Sequence, residues 1–200
     1  AMAIPAVDSL LMLKNAILGT ANVDIPEYKR AVVLELRLPR TLLAILIGAT
    51  LAQCGTAMQG MFRNPLADPG IIGVSAGSAV GAVLAIYFSP AQLSWWTTPV
   101  GAFTGAVLTS ALIYKLAKSQ SGTSVFILLL AGIAISALAG AVIGFISYLS
   151  DDSRLRDLSL WQMGSLATAD GSRVWVAAIA FVVLAWRLQL KAAALNALLL

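Results

Sequence analysis

Three long stretches of this chain carry no charged side chain. Residues 41–62, 69–114 and 119–150 contain no Asp, Glu, Lys or Arg. An α-helix rises 1.5 Å per residue, so about 20 apolar residues cross the roughly 30 Å hydrocarbon core of a bilayer. The first and third stretches are each long enough for one membrane-spanning helix, and the second is long enough for two. The chain is therefore expected to fold inside a membrane.

Composition indicates the same class of protein. The chain is 60% hydrophobic and 11% charged, with a mean hydropathy of +0.89, which is typical of a membrane protein. We predict an all-α fold, a polytopic membrane helix bundle that forms a single domain over residues 1–200. The predicted spans are residues 41–62, 71–88, 99–116, 125–149 and 171–190. The last span requires Arg173 and Arg187 to reach opposite interfaces with their long side chains.

Two further segments are predicted to form short surface helices. Charged residues and prolines interrupt residues 1–36, so we expect one amphipathic helix around residues 10–18 at a membrane interface and no span. Residues 151–170 begin with polar side chains and continue as an amphipathic pattern. We expect a surface helix there that ends at Gly164.

The chain lacks the side chains on which most enzyme sites depend. It has no His, and Cys54 is its single Cys, which excludes an imidazole base, a disulfide within the chain and a Cys-rich metal site. No GxxxxGK[ST] phosphate loop is present, so ATP hydrolysis is not expected of this chain. We predict no catalytic site, no cofactor and no metal site. The basic residues lie at the ends of predicted helices without an aromatic surface, so nucleic acid is not an expected partner.

A turn separates the first two spans. Asn64, Pro65, Pro69 and Gly70 form turns, since each proline fixes its own φ and biases the preceding residue away from the helix. Asp68 is the one acid between Glu35 and Asp151. We expect Asn64 and Asp68 to cap and brace this turn, because an acid stabilises a helix N-terminus.

Glycines recur four residues apart on the predicted spans. This small-xxx-small spacing lets a second helix backbone approach closely in lipid. The glycines predicted to pack helices are Gly73, Gly77, Gly81, Gly140 and Gly144, with Gly101 and Gly105 on the third span. By themselves they indicate a tightly packed membrane helix and no particular function.

The combination of these features resembles the permease subunits of ABC importers for cobalamin, ferric siderophores and haem. The motifs that carry the resemblance are Arg-Leu-Pro-Arg at 37–40, the helix end at Met58 and Gln59, Arg-Asn-Pro-Leu-Ala-Asp-Pro-Gly at 63–70, Leu-Leu-Ala-Gly at 129–132, and residues 158–164. They extend over nearly the whole chain.

The resemblance implies a larger architecture. The family has about ten spans, of which this chain shows about five, with one further helix expected before it and four more spans after it. The resemblance also implies a bacterial inner-membrane location, with the N-terminal segment and residues 89–98 and 151–172 on the extracytoplasmic side. Lys and Arg counts alone leave this orientation open, with eight on that side and five on the other.

The same resemblance implies partners and a cargo. The partners are a cytoplasmic ATPase subunit, a periplasmic substrate-binding protein and a second permease copy, assembled in the lipid bilayer. The cargo is expected to be haem or a ferric siderophore, with cobalamin as the alternative within the importer class. An ATP-independent oligomeric channel or secondary transporter is the alternative of a different class.

Arg37 and Arg40 lie three residues apart at the outer mouth of the first span. The resemblance implies that they receive glutamates of the substrate-binding protein, and the planar guanidinium suits carboxylate binding. Interfacial anchoring of the helix is the other interpretation.

Polar residues at two further places are candidates for the transport path. Gln53, Met58 and Gln59 interrupt the apolar first span, where a polar side chain faces protein or a water-filled path. A hydrogen bond between helices explains them equally well. Thr123 and Ser124 resemble the cytoplasmic gate residues of the family, although a simple helix N-cap also explains their position.

Overall fold

The structure is a computed structural model that describes residues 4–18, 26–90, 94–119 and 122–199. Its helices in chain order are α1 (Ala6–Leu18), α2 (Glu27–Ala31), α3 (Leu38–Phe62), α4 (Val74–Phe88), α5 (Ser94–Ala117), α6 (Val125–Leu149), α7 (Asp152–Met163) and α8 (Gly171–Leu199). A π-helical segment (Val32–Arg37) joins α2 to α3, and a 3₁₀ helix (Pro69–Ile72) precedes α4. Two-residue strands β1 (Lys118–Ser119) and β2 (Gly122–Thr123) pair antiparallel between α5 and α6. The expected all-α class is confirmed.

Four of the described helical runs are long and apolar enough to cross a membrane. They are Glu27–Phe62, Trp96–Ala117, Val125–Leu149 and Gly171–Ala193. Helix α4 has only 15 residues, which corresponds to about 22 Å. We expected the second span to begin at residue 71, but the 3₁₀ helix and a left-handed Gly73 (φ 75°) delay the α-helix until Val74.

Other helix boundaries also differ from the expected ones. Residues 27–37 are helical, although their charges suggested otherwise, and Pro26 stands at the N-cap where its ring is tolerated. Helix α5 begins at Ser94, before the expected residue 99, and continues through Pro99, the sixth residue of the helix, where the ring removes a backbone hydrogen bond without ending the helix. Helix α8 continues to Leu199 and so exceeds the expected end at residue 190.

Contacts divide the chain into two compact units. The first unit comprises Ala1–Gln53 and Leu166–Ala192, and the second comprises Cys54–Ser165 and Ala193–Leu200. In the first unit, α1 packs on the π-helical segment, and Lys29 Nζ lies 3.9 Å from a carboxylate oxygen of Asp8. In the second unit, α4 packs chiefly on α5 and also on α6.

Two apolar clusters lie in the second unit. One contains the buried side chains of Val83, Ile146 and Leu158, so it joins α4, α6 and α7. The other contains Ile113, Ala117 and Leu128, with Phe62 and Ile72 packed against it. The first cluster packs the C-terminal part of α6 against α4 and α7. The second packs the N-terminal part of α6 against α5.

Helices α4 and α5 touch through their backbones. A Cβ atom added at Gly101 would lie 2.6 Å from the carbonyl oxygen of Gly81, and one at Gly77 would lie 2.7 Å from that of Gly105. Real Cβ contacts are not that short. The helices can therefore approach this closely only because both carry glycine at the crossing, as small-residue packing in lipid requires.

Helix α7 is a short surface helix docked on the end of α4. Leu158 is fully buried, and the guanidinium of Arg154 lies 5.2 Å from the ring centroid of Tyr87 while donating to the Tyr87 carbonyl oxygen. Asp151 caps the helix, and hydrogen bonds from the Arg154 N–H and the Ser153 hydroxyl lower the pKa of its carboxyl. Helix α7 ends at the expected Gly164, which has a positive φ of 71°.

We predict that Gly81→Ala destabilises the protein by about 1–3 kcal/mol, because the added methyl group meets the Gly101 backbone and overpacks the crossing. Thermal unfolding of the purified protein measures the effect. Gly48→Ala is the matched control, since its Cβ has no neighbour within 4 Å. Equal unfolding temperatures for the two variants would contradict the backbone contact.

Candidate functional site

The turn between α3 and α4 is closed by its own side chains. Asn64 Oδ1 accepts a 2.9 Å hydrogen bond from the Leu66 N–H, and the Asn64 N–H donates to the carbonyl oxygen of Gln59 at 3.1 Å. Asp68 Oδ1 accepts from the Gly70 N–H at 2.6 Å and so caps the 3₁₀ helix, with Pro69 at its first position. These hydrogen bonds fix the backbone of the turn and join it to the end of α3.

Gly73 places this turn against α6. Its φ of 75° is in the left-handed region, and an added Cβ would lie 3.0 Å from Ile113 Cδ1 and 3.3 Å from the Gly132 carbonyl oxygen. Gly73 therefore does not continue the helical glycine face of Gly77 and Gly81, as its spacing suggested. It forms the junction between the 3₁₀ helix, α4 and α6. The Leu-Leu-Ala-Gly motif supplies the other side of the junction through Gly132.

The two predicted docking arginines are exposed at the start of α3. Arg37 ends the π-helical segment, and its carbonyl oxygen accepts a 3.0 Å bond from the Thr41 hydroxyl. Arg40 Nη2 donates a 2.8 Å hydrogen bond to the carbonyl oxygen of Ala167, just before α8. Both side chains remain at the surface of the first unit.

A further arginine, Arg173, binds the same segment. Its Nη1 donates to the carbonyl oxygen of Thr168 at 2.5 Å and also to the Thr168 hydroxyl. Asp170 caps α8, and hydrogen bonds from the Arg173 N–H and the Ser172 hydroxyl lower the pKa of its carboxyl. From the sequence we interpreted Arg173 only as a snorkelling side chain.

The polar residues of α3 differ in their surroundings. Gln59 is exposed and Met58 is half-buried, whereas Gln53 Oε1 is buried. Among the described residues, this oxygen has no hydrogen-bond donor. A desolvated acceptor without a donor costs about 1–3 kcal/mol. Gln53 is therefore suited to accept a hydrogen bond from a group outside the described part of the chain.

The predicted gate residues lie where β2 meets α6. Thr123 pairs with Lys118 across the short hairpin, and its side chain falls outside what the structure describes. Ser124 is the N-cap of α6, with its Oγ 3.4 Å from the Ile127 nitrogen. The capping role explains Ser124 locally, and the gate role stays a prediction.

The remaining glycine candidates have open surroundings. A Cβ at Gly140 or Gly144 would meet no atom within 4 Å, so no described element packs on them. A cavity of about 590 Å³ lies between α4, α5 and α6, where Ala139 and Val142 line it, and is almost wholly apolar, with Thr104 and Thr109 as its hydroxyl-bearing residues. Within the described ranges, no group of three or more Cys, Asp or Glu side chains is arranged to hold a metal ion.

The chain matches the FecCD transport family over residues 6–200. It belongs to this family. The resemblance that the motifs indicated is thereby confirmed. Family membership and the four membrane-length helices make the chain a multi-pass protein of the inner membrane.

Individual relatives are consistent with the family. The chain is 50% identical to the hemin transport system permease protein HmuU of Yersinia pestis over 147 residues, which cover 72% of this chain and 44% of the relative. It is 38% identical to the vitamin B12 import system permease protein BtuC of Salmonella paratyphi A over 152 residues, which cover 76% and 46%. The chain thus spans about half the length of the curated relatives it matches.

A solved structure supports the fold of this family member. A metal-chelate type ABC transporter in an inward-facing conformation superposes with a TM-score of 0.76 and 31% identity. The match covers 95% of this chain and 62% of the other. Over the matched residues, the fold of this chain is therefore similar to that of the solved transporter.

We predict that Gly73→Ala destabilises the junction by roughly 1–2 kcal/mol through the left-handed φ alone. Hydrogen exchange of amides 70–77 should accelerate, because the strain falls on the turn that they form. Gly60→Ala is the control, because its Cβ meets no atom within 4 Å and it lies inside α3. Unchanged exchange in Gly73→Ala would contradict the junction.

Proposed function

We propose that this chain is part of the transmembrane permease subunit of a binding-protein-dependent ABC importer for haem or another iron chelate. The strongest support is the 50% identity to a hemin permease, compared with 38% to a vitamin B12 permease. Cobalamin is the less favoured cargo for the same reason. The working assembly would contain two permease copies, two ATPase subunits and one substrate-binding protein.

The energy source of this importer would be a separate subunit. The sequence contains no phosphate-binding Gly-rich loop. Nucleotide-driven movement of the ATPase would reach the membrane helices through the cytoplasmic loops. In the orientation of the family, these loops include the turn at residues 63–70 and the β1–β2 hairpin.

Contacts between haem and this part of the permease would be other than imidazole ligation, because these 200 residues contain no His. The buried Gln53 Oε1 supports a place for Gln53 on the transport path or in a contact between subunits. Met58 and Gln59 follow on the same helix, and Thr123 and Ser124 would line the cytoplasmic end. Such weak contacts suit a path, since tight binding would slow the release of the cargo.

Uptake into proteoliposomes tests this function. The complete reading frame, co-purified with its ATPase, is given haem-loaded or ferric-siderophore-loaded binding protein, with and without internal ATP. We expect ATP-dependent accumulation of haem. If only the ferric siderophore accumulates, the cargo is a ferric siderophore and not haem. Uptake that depends neither on ATP nor on the binding protein would contradict the importer and favour an ATP-independent channel.

Charge reversal tests the docking role of the two arginines. Arg37→Glu with Arg40→Glu should weaken binding of the substrate-binding protein roughly tenfold or more at low salt, because like charges then face each other. The loss should shrink as salt screens the charges. Arg187→Glu with Lys191→Glu, near the other end of α8, is the matched control. Unchanged affinity of the first variant at low salt would contradict docking at this site.

A further inference from the structure

Two arginines from different helices hold adjacent peptide groups just before α8. Arg40, in the first turn of α3, donates through Nη2 to the carbonyl oxygen of Ala167 at 2.8 Å. Arg173, in the first turn of α8, donates through Nη1 to the carbonyl oxygen of the next residue, Thr168, at 2.5 Å. Because adjacent Cα atoms are about 3.8 Å apart, the segment holds both guanidinium groups in one small region of the first unit.

This region carries an excess of positive charge. Arg40 and Arg173 contribute two positive charges and Asp170, which interacts electrostatically with Arg173, one negative charge, which leaves one positive charge. The Asp170 carboxylate is already used at the N-terminus of α8, where Oδ1 accepts from the Ser172 hydroxyl and the Arg173 N–H. Across the described chain, neither Arg40 nor Arg173 has a carboxylate oxygen within 4.0 Å.

Both guanidinium groups keep donors for a ligand. Arginine has five N–H donors in a planar fork that matches a carboxylate. The described contacts use Nη2 of Arg40 and Nη1 of Arg173, and both side chains are exposed. A side chain that is already held in place loses less conformational freedom on binding, which favours affinity.

We propose that Ala167 and Thr168 join Arg40 and Arg173 into one carboxylate-binding pair, and that Arg173 is a third docking residue for the substrate-binding protein. The proposal rests on the proposed function, and its occupant is an acidic side chain of that protein. Charge complementarity selects this occupant, since the pair presents two cations and, among the described residues, no carboxylate oxygen within 4.0 Å of either one. Arg173 thus has a role beyond anchoring α8 at the membrane interface.

The test measures association of the substrate-binding protein with the complete transporter in lipid nanodiscs over a range of salt concentrations. Arg173→Gln should lower the association rate constant and the affinity about two- to tenfold at low salt and should flatten their salt dependence. Arg173→Lys keeps the charge and should retain most of the salt dependence. Arg187→Gln is the control, made on the same helix about 21 Å away.

A double-mutant cycle tests whether the two arginines act as a pair. If Arg40→Gln and Arg173→Gln remove contacts with the same carboxylate, their combined effect should be about threefold or more away from the product of the single effects. Thr168→Val removes the hydroxyl that accepts a hydrogen bond from Arg173 and leaves the charge unchanged. It should weaken docking more than Thr168→Ser, which keeps a hydroxyl.

The outcomes separate this proposal from the docking role of the first two arginines. Normal affinity and salt dependence in Arg173→Gln, together with loss of docking in the Arg37→Glu, Arg40→Glu variant, would overturn the pair and leave Arg173 as an interfacial anchor. Independent effects of Arg40→Gln and Arg173→Gln would also overturn it. Normal docking in all variants, the charge reversal included, would instead overturn the docking function itself.

Discussion

Contact between the backbones of α4 and α5 is the interaction on which the second unit depends. In lipid, moving apolar side chains from the acyl chains into a helix contact gains little free energy. Helices therefore associate through close van der Waals packing. The glycines at this crossing, Gly77 and Gly81 on one helix and Gly101 and Gly105 on the other, permit that packing. Helix α4 is only 15 residues long, and its main packing partner is α5, with α6 and α7 as further partners.

Several polar side chains in the described part of the chain form their hydrogen bonds at helix ends. Asn64 and Asp68 close one turn, and Asp151 and Asp170 cap α7 and α8. Arg154 binds a carbonyl oxygen in the last turn of α4, and two further arginines bind carbonyl oxygens just before α8. Buried polar groups without a partner are costly in an apolar medium. Gln53 differs from this arrangement because it is polar, lies inside a membrane helix and has a buried oxygen without a described donor.

Local patterns predicted the all-α class and the approximate places of the long helices, since charge-free length and prolines decide both. The start of α4 was not predictable, because the left-handed Gly73 depends on packing against Gly132, which is distant in sequence. The hydrogen bond from Arg40 to Ala167 joins residues 127 positions apart, so no local pattern reveals it. Thr168 and Asp170 lie close to Arg173 in the sequence and could have indicated local hydrogen bonds. The short apolar stretch between Arg173 and Arg187 led us instead to interpret Arg173 as a side chain that snorkels to the interface.

The backbone contact of α4 and α5 has a consequence for how substitution data on this protein would be interpreted. At Gly77, Gly81, Gly101 and Gly105 every side chain larger than hydrogen meets a facing backbone or a neighbouring side chain, so intolerance there is steric and independent of cargo. A survey of all substitutions would therefore rank these positions beside a true binding site. Sensitivity to mutation alone would map the helix crossing, and only variants that separate folding from transport would map the path of the cargo.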